Sequence, residues 1–211
     1  MASSAISAQG SILQIGTATG TAKTITAAAV GNPTILTSAA HGFLNGDVVT
    51  IAGIVGTLSA LNGVTLVVTN ATVNTFALQY DSTGLAYTSG GTATPVTWTK
   101  ISNIRDYSGF DGQATELDKT NLDSTAKEFA LGLVDPGQFA VNVDRDQLDA
   151  GQLAVEAARI SGGIKNFKLT LPNAKTASFT GYVKKFSAQG GVDALLKSAI
   201  DIRISGAVTW A

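Results

Sequence analysis

Charged side chains are confined almost entirely to one part of this chain. Residues 1–98 carry only Lys23, Asp47 and Asp81, whereas residues 99–211 carry the other 26 of the 29 charged side chains. Thr, Ala, Gly, Val and Ser dominate the low-charge part. Such a sharp break indicates two units with separate hydrophobic cores, because each unit has its own ratio of exposed to buried positions.

Within the low-charge part, residues 10–15 are strand-like and closer in character to the charged part of the chain than to the residues that follow them. The Gly-rich residues 89–92 and Pro95 then lead back to that charged part. We therefore predict an insertion within a host domain. The predicted boundaries place the host in residues 1–20 and 96–211, and a small inserted all-β domain in residues 21–95.

β-Branched residues and closely spaced turn residues occur in both units and predict a mainly β fold, as a sandwich or barrel. In the insert, Asn and Gly residues that accept positive φ separate short β-branched runs. The predicted insert strands are residues 34–37, 48–54, 64–69 and 75–80. The predicted host strands are residues 98–104, 139–143, 167–171, 179–186 and 200–210.

One α-helix is predicted in the host. Asp149 is the expected N-cap, Gln152 three residues later completes a capping box, and a pair of glycines ends the helix. We expect Leu153, Ala157 and Ile160 to form its inner face, because this spacing places them on one side of a helix. The host is therefore predicted to be a β-sandwich with one packed helix.

The composition argues against the common classes of catalytic site. With one histidine and no cysteine, the usual zinc ligand sets cannot be assembled. Ser38, His41 and Asp47 are close in sequence, but proximity does not orient a triad, and His41 is expected to pack or cap locally. The acidic cluster in residues 144–149 departs from a calcium-loop pattern and favours helix capping. We predict no enzyme activity, no cofactor and no metal site.

Charge and hydropathy also limit the possible partners. The formal net charge is −1, so the chain has no global basic field that would attract nucleic acid. The longest apolar-looking run, residues 48–55, has eight residues, and a membrane-spanning helix needs ~20. The first residues lack the basic start and long apolar stretch of a secretory signal. We expect a soluble chain made in the cytoplasm, with no membrane partner.

An ordered series of host motifs resembles the major tail tube proteins of long, flexible-tailed, siphovirus-type bacteriophages. It covers roughly residues 5–20 and 96–211, and the order of the motifs carries the resemblance. The motifs are ISNIRDYSGF at 101–110, LDKTNL at 117–122, KEFA at 127–130, DPGQF at 135–139, the 149–162 helix, FTGYV at 179–183 and ISGAV at 204–208. The insert resembles a small β-module found in many phage structural proteins, through HGFLNGDVVTI at 41–51, LNG at 61–63 and NTFAL at 74–78.

The resemblance implies a structural virion protein with a tail-tube-type β-sandwich. Proteins of this kind form hexameric rings that stack into a tube, through which DNA passes from the capsid to the host. The implied partners are further copies of the chain, the tape measure protein inside the tube, and tail tip and terminator proteins at its ends. DNA would pass transiently without sequence-specific binding. The chain would be made in the host cytoplasm and reside in the virion tail, with the insert decorating the tube's outer surface.

The polar, turn-rich residues 109–127 are expected to form an arm that reaches the next ring, because long excursions from compact domains tend to be functional. An ordinary solvent loop is the alternative. Leu122 and Phe129 lie among polar residues, a pattern typical of a surface that a partner covers. The predicted inter-subunit contact residues are Leu117, Asp118, Lys119, Asn121, Leu122, Lys127 and Phe129.

The alternative function is a carbohydrate-binding module of a phage fibre or a cell-surface adhesin. It would need exposed aromatic platforms, for which the insert offers Phe43, Phe76, Tyr80 and Tyr87. We expect these four aromatic side chains to be core or packing residues instead.

Overall fold

The structure is a computed structural model that describes residue 5 and residues 7–211. Residues 1–4 and 6, which belong to the predicted host domain, lie outside the described residues. In the low-charge part the strands are β1 (Ile12–Thr19), β2 (Lys23–Thr24), β3 (Ala27–Ala29), β4 (Thr34–Thr37), β5 (Val48–Val55), β6 (Thr65–Thr69), β7 (Thr75–Leu78) and the long β8 (Ser89–Ile101). A 3₁₀ turn, Thr57–Leu61, follows β5.

The charged part contains the remaining strands and the α-helix α1 (Ala150–Ser161). Its strands are β9 (Ile104–Gly109), β10 (Ala114–Asp118), β11 (Phe129–Val134), β12 (Gln138–Asp144), β13 (Lys165–Thr170), β14 (Thr176–Phe186), β15 (Lys197–Ile204) and β16 (Thr209–Trp210). The predicted mainly β fold with one helix is confirmed.

All described strands except β10 and β11 belong to one antiparallel sheet. Its order is β3-β4-β7-β6-β5-β8-β1-β13-β14-β15-β12-β9, with β2 paired to β8 and β16 paired to β14. The strands of residues 23–78 lie at one end of this order and those of the charged part lie at the other. Strand β8 joins them, since its first half pairs with β5 and its second half pairs with β1.

Two separate clusters of buried side chains form along this sheet. The first cluster lies within residues 25–93 and includes Ile25, Leu36, Phe43, Val49, Ile51, Ile54, Leu58, Leu61, Val68, Phe76, Leu78 and Ala93. The second cluster combines β1 with residues 101–204 and includes Leu13, Ile15, Ile101, Phe139, Val141, Val143, Val155, Ala158, Phe167, Leu169, Ala177, Phe179, Val183, Ile200, Ile202 and Ile204. Alternate residues of β12 and β15 enter this second cluster, as their sequence pattern predicts.

His41 is a packing residue of the first cluster, as expected. Its ring centroid lies 4.8 Å from that of Phe43 and 5.2 Å from that of Phe76. Nδ1 accepts the backbone N–H of Phe43 at 2.9 Å, so Nε2 carries the proton and faces the carbonyl of Thr75 at 3.2 Å. The imidazole is thus fully engaged and does not face Asp47, whose carboxylate contacts Lys168.

The four aromatic side chains considered for sugar stacking also belong to this cluster. Phe43 and Phe76 are buried, and Tyr80 and Tyr87 are half-buried against the same core. The hydroxyl of Tyr87 donates to the carbonyl of Gly90 at 2.9 Å. The expectation that these residues serve packing is confirmed.

A buried ion pair joins the low-charge part to the host sheet. Lys168 Nζ lies 2.8 Å from Asp47 Oδ1, and the two side chains are only 9% and 17% exposed. The same ammonium lies 4.8 Å from the centroid of the Trp98 ring. Beside it, the hydroxyl of Ser178 donates to the carbonyl of Gly46 at 2.7 Å. Gly46 is required here, because its φ is +84° and a Cβ would approach Thr176 Oγ1 to 2.1 Å.

The ends of α1 were predicted correctly, but the capping box was not. Asp149 is the N-cap, its Oδ1 accepting the N–H of Gln152 at 2.8 Å, and Gly162 ends the helix in the left-handed conformation. The Gln152 side chain turns away from the Asp149 N–H. Its Oε1 accepts the N–H of Asp146 at 2.9 Å, and its Nε2 donates to the carbonyls of Asp144 at 3.0 Å and Ser102 at 3.2 Å. Gln152 therefore ties the helix to the turn after β8 and to the end of β12.

The predicted inner face of α1 is wrong. Leu153 is 50% exposed and Ile160 is 73% exposed, and Ala157 is exposed as well. The face that packs on the sheet consists instead of Gly151, Val155 and Ala158. Gly151 decides this orientation, because a Cβ there would lie 2.1 Å from the carbonyl of Lys100, so only glycine lets the helix approach β8 this closely.

Several predicted strand boundaries are corrected by turns. The strand predicted for residues 98–104 ends at Ile101, and β9 begins at Ile104 after Asn103 takes a positive φ of 61°. The strand predicted for residues 200–210 ends at Ile204, where Gly206 takes a φ of 93° before β16. The polar residues 109–127, in which the sequence predicts no strand, contain strand β10.

Replacing Gln152 with alanine is expected to lower the free energy of unfolding by about 1–3 kcal/mol, because two backbone carbonyls and one N–H lose their partner. Chemical denaturation of the purified protein measures this change. Gln147→Ala is the matched control, since Gln147 is exposed, and it should alter stability by less than about 0.5 kcal/mol. Equal effects of the two substitutions would contradict the role given to the Gln152 amide.

Candidate assembly surface

Strands β10 and β11 form a two-stranded antiparallel sheet of their own, detached from the main sheet. We call residues 114–134 the arm hairpin. It connects β9 and β12, the last two strands at the host end of the sheet. An isolated two-stranded hairpin is marginally stable in water, because one pair of strands buries little apolar surface. The arm hairpin therefore depends on its attachment to the host for stability.

One face of the arm hairpin carries a row of exposed apolar side chains. Phe129, Leu131 and Leu133 alternate along β11 and are 52%, 76% and 94% exposed. We call these three the apolar row. Phe129 and Leu131 share a face because they alternate along the strand, and Leu133 lies where the pairing register shifts. Leu117 is 53% exposed on the other face, opposite Ala130. Exposed apolar rows of this kind mark surfaces that a partner covers.

Hydrogen bonds order the tip of the arm hairpin. Asp118 Oδ1 accepts the N–H of Thr120 at 2.9 Å. Hydrogen bonds from the Thr120 hydroxyl and N–H lower the pKa of Asp118. The N–H of Lys119 donates to the carbonyl of Glu128 at 3.0 Å, and the Thr120 hydroxyl accepts the Glu128 N–H at 3.0 Å. Leu122 projects from this ordered tip and is fully exposed.

All seven predicted contact residues lie in this one hairpin. Leu117, Asp118 and Phe129 belong to its strands. The tip holds Lys119, Asn121, Leu122 and Lys127, and all seven are exposed. That they contact another subunit stays a prediction. The sequence reasoning missed Leu131, Leu133 and Val134, although the alternation of Phe129, Leu131 and Leu133 was a strand signal available in the sequence.

The base of the arm hairpin is fixed to the host. Asp135 accepts the N–H of Gly137 at 2.9 Å through one oxygen and the guanidinium of Arg203 through the other. These two contacts, the backbone N–H first and the Arg203 hydrogen bond second, hold the pKa of Asp135 below its usual value. Gly112 allows the two segments at the base of the hairpin to approach each other, because a Cβ there would lie 2.0 Å from the Asp135 carbonyl.

The host sheet also presents unpaired strand edges. Strand β9 ends the strand order and pairs only with β12 within the described residues. The second half of β8, from Val96 to Ile101, pairs with β1 on one side, whereas β5 ends its pairing at Pro95. Such edges are templates for pairing with another chain unless they are protected.

An open cleft of about 570 Å³ lies beside the hairpin base. Its lining includes Phe110, Val134, Pro136, Val208 and Trp210. The Phe110 ring contacts Trp210 and Phe139 at centroid distances of 5.5 and 5.0 Å. Trp210 is 54% exposed at the mouth of this cleft. The cleft thus adds apolar surface next to the arm hairpin.

The acidic residues near α1 are accounted for by local contacts. Asp144 pairs with Arg105 at 3.0 Å, and Asp146 Oδ1 accepts the N–H of Leu148 at 2.9 Å. Among the described residues, no group of three or more His, Asp or Glu side chains is placed to hold a metal ion. In the same part of the chain, no helix is long and apolar enough to span a membrane.

Comparison with known families finds a match that covers the C-terminal part of the chain. The family model of the lambda phage tail tube protein matches residues 78–211, which is more than half of the chain. The chain belongs to the lambda phage tail tube protein family. It is therefore a structural protein of a phage tail tube, which implies self-assembly into a tube and a place in the virion tail.

The low-charge part has a different likeness. Residues 31–97 are similar to the FCCH domain of ubiquitin-activating enzyme E1. This segment lies mostly within residues 21–95 and contains most of the first buried cluster. A search among curated proteins finds no match to the chain.

Replacing Asp135 with alanine is expected to loosen the arm hairpin at neutral pH, because both contacts at its base are lost. In the native protein the folded-state pKa of Asp135 is lowered, so its contribution is present above the unfolded pKa of about 3.9. That contribution is lost as the pH falls through the lower, folded-state pKa. Hydrogen-exchange protection factors of β10 and β11 should thus drop in the variant at pH 7, and in the native protein only below about pH 4.

Asp123→Ala is the matched control for this measurement. Asp123 lies at the exposed tip, where its backbone N–H donates to Asn121 Oδ1 at 2.8 Å. The control substitution should leave protection of the hairpin strands unchanged. Unchanged protection in the Asp135 variant as well would mean that the base contacts do not hold the hairpin.

Proposed function

We propose that copies of this chain form hexameric rings, and that the rings stack into the tail tube that conducts DNA from the capsid to the host. The family supports a tail tube subunit. The observation that carries the assembly step is the arm hairpin, a two-stranded sheet with its apolar row exposed in the single chain. Covering that row with a second copy removes apolar surface from water and supports an otherwise marginal hairpin.

The open strand edges support closure into a ring. In a ring, β9 of one copy and the second half of β8 of the next can each lie next to another chain, which removes exposed edges. When one patch of a subunit binds a different patch of the next subunit, the subunits associate head to tail. They close into a ring if the rotation between neighbouring subunits brings the last one back to the first. The hexameric number comes from the resemblance to tail tube proteins and not from these contacts.

The charge balance supports a conduit. The formal net charge of −1 offers no strong cationic field. A basic inner wall would hold DNA through release of counterions and slow its exit. We therefore expect DNA to pass without sequence-specific binding. The tape measure protein inside the tube, and the tail tip and terminator proteins at its ends, complete the proposed partners.

We further propose that residues 21–95 are a separate inserted domain on the outside of the tube. The first buried cluster is drawn entirely from this range. The proposed ends of the insert meet, because the N–H of Gly20 donates to the carbonyl of Pro95 at 2.7 Å. Adjacent ends are what an inserted domain needs to leave its host undisturbed.

Concentrated protein is expected to form rings or tubes, and the double variant Leu122→Ser and Phe129→Ser is expected to remain monomeric. Both side chains are at least half exposed in the single chain, so their loss should leave the melting temperature nearly unchanged. Negative-stain microscopy and thermal melting check the two parts. Discrete particles of the native chain, at high concentration and with a tail tip nucleus present, would count against tube assembly.

The control for the double variant is Leu44→Ser with Val73→Ser. These two side chains are 70% and 74% exposed on the low-charge part, which we place outside the assembly contacts. The control should form tubes like those of the native chain. A collapse of the melting temperature in the Leu122 and Phe129 variant would instead assign these residues to the monomer core.

Replacing residues 21–95 with a short Gly-Ser bridge is expected to leave a folded chain that still forms tubes, with a thinner outer profile. The host cluster shares no buried residue with this range, and the hydrogen-bonded ends are close enough for a short bridge. Circular dichroism measures folding and microscopy measures the tube diameter. Loss of folding would show that the low-charge part is integral to the host sandwich, and the two-domain proposal would be abandoned.

A further inference from the structure

Helix α1 has apolar side chains on two opposite faces. Gly151, Val155 and Ala158 pack on the sheet, and Leu153, Ala157 and Ile160 point outward. We call the outward three the outer stripe. Leu148 just before the helix and Ile164 just after it extend the apolar surface, at 90% and 60% exposed. A surface helix normally carries its apolar side chains on the one stripe that faces the core, so a second apolar stripe on the outside is unusual.

We propose that the outer stripe of one copy is the docking site for the apolar row of the arm hairpin of a second copy. This inference rests on the proposed self-assembly and adds to it the surface that receives the arm. The apolar row and the outer stripe are both exposed in the single chain. The chain therefore leaves its own hairpin and its own helix uncovered, and a second copy offers each the missing partner.

The two surfaces match in length. The apolar row spans four residue steps of strand from Phe129 to Leu133, or about 14 Å at ~3.4 Å per step. The outer stripe spans seven residue steps of helix from Leu153 to Ile160, or about 10 Å at ~1.5 Å per step. Ile164 extends the stripe beyond the helix end. A strand of this length can therefore lie along the helix with its apolar side chains covered.

The two surfaces also match in charge. Glu116 lies opposite Leu131 and Asp118 lies opposite Phe129, so both carboxylates share the face of the apolar row. Arg159 lies beside Ile160 in the last turn of the helix and forms no ion pair within residues 7–211 of the structure. Lys165 follows the helix at the same end. Glu156, which lies one turn from both Leu153 and Ile160, is already paired with Arg145 at 2.9 Å. The charge without an ion pair at this end of the helix is therefore basic, and it favours an acidic partner such as the hairpin face.

The outer stripe can be told apart from the other apolar surface near the arm. The cleft with Phe110 and Trp210 lies at the base of the hairpin of the same chain, and its lining includes no basic side chain. It offers apolar area but no partner for Glu116 and Asp118. The outer stripe offers both, so the observations favour it as the acceptor.

Cysteine cross-linking tests the pairing cleanly, because the chain contains no cysteine. Two single variants of the full chain, Leu131→Cys and Ile160→Cys, are mixed, assembled and mildly oxidised. We expect a disulfide-linked dimer that joins residue 131 of one copy to residue 160 of another, identified by mass spectrometry of the linked peptides. In the control mixture the Val73→Cys variant replaces Ile160→Cys. Val73 is a matched position because its side chain is 74% exposed and that of Ile160 is 73% exposed.

The outcomes separate this inference from the proposed function. Tubes with the 131–160 link, and without a 131–73 link, support both the helix docking site and tube assembly. Tubes in which residue 131 links only to itself, or to a cysteine placed at Trp210, overturn the helix docking site and leave tube assembly standing. Failure of the native chain to form rings or tubes overturns both.

A charge reversal gives a second, independent readout. Arg159→Glu should raise the concentration needed for half-maximal assembly by about tenfold, the range of a moderate interface contact. Adding Glu116→Lys on the same chain should restore assembly at least in part. Lys175→Glu, an exposed charge reversal in the loop before β14, is the control. An unaffected Arg159→Glu variant, or an affected one that the added lysine substitution fails to restore, would overturn the proposed register.

Discussion

The long strand β8 is the constraint on which the rest of the structure depends. Ala93 in its first half is fully buried in one hydrophobic cluster, and Ile101 at its end is fully buried in the other. A single extended backbone therefore crosses from one core to the other without a flexible linker. Each half is hydrogen-bonded to neighbouring strands, so the two clusters cannot rotate freely about the connection.

The contact between Asp47 and Lys168 adds a second point of attachment. Both charges are largely removed from water, and each would be costly to bury alone. The pair forms only when the turn at Gly46 lies against β13 and β14, which is the geometry that the Ser178 hydrogen bond also requires. Under the proposed function, the low-charge part would project from each subunit at one fixed angle.

Some parts of this fold could be predicted because local residues determine them. Asp149 and Gly162 end the helix through their own conformational preferences, and strand β4 has the predicted bounds. Other parts could not. The apolar residues of α1 fit two opposite faces, and the choice between them depends on the close approach of Gly151 to Lys100, a contact between distant residues. The strands of the arm hairpin were missed because polar turns surround them.

The two failures of prediction concern the same physical situation. Sequence reasoning assumes that apolar side chains point toward the core of their own chain. This assumption places Leu153 and Ile160 in the core, and it predicts no strand in the arm. This assumption fails for a chain that buries some apolar side chains only in an assembly. At its contact surfaces the sequence pattern predicts burial, but the side chains are exposed in the single chain. The outer stripe and the apolar row are the places in this host where pattern and exposure disagree most clearly. Both surfaces are apolar and yet exposed in the single chain, and this is the reason to look for their partners in a second copy.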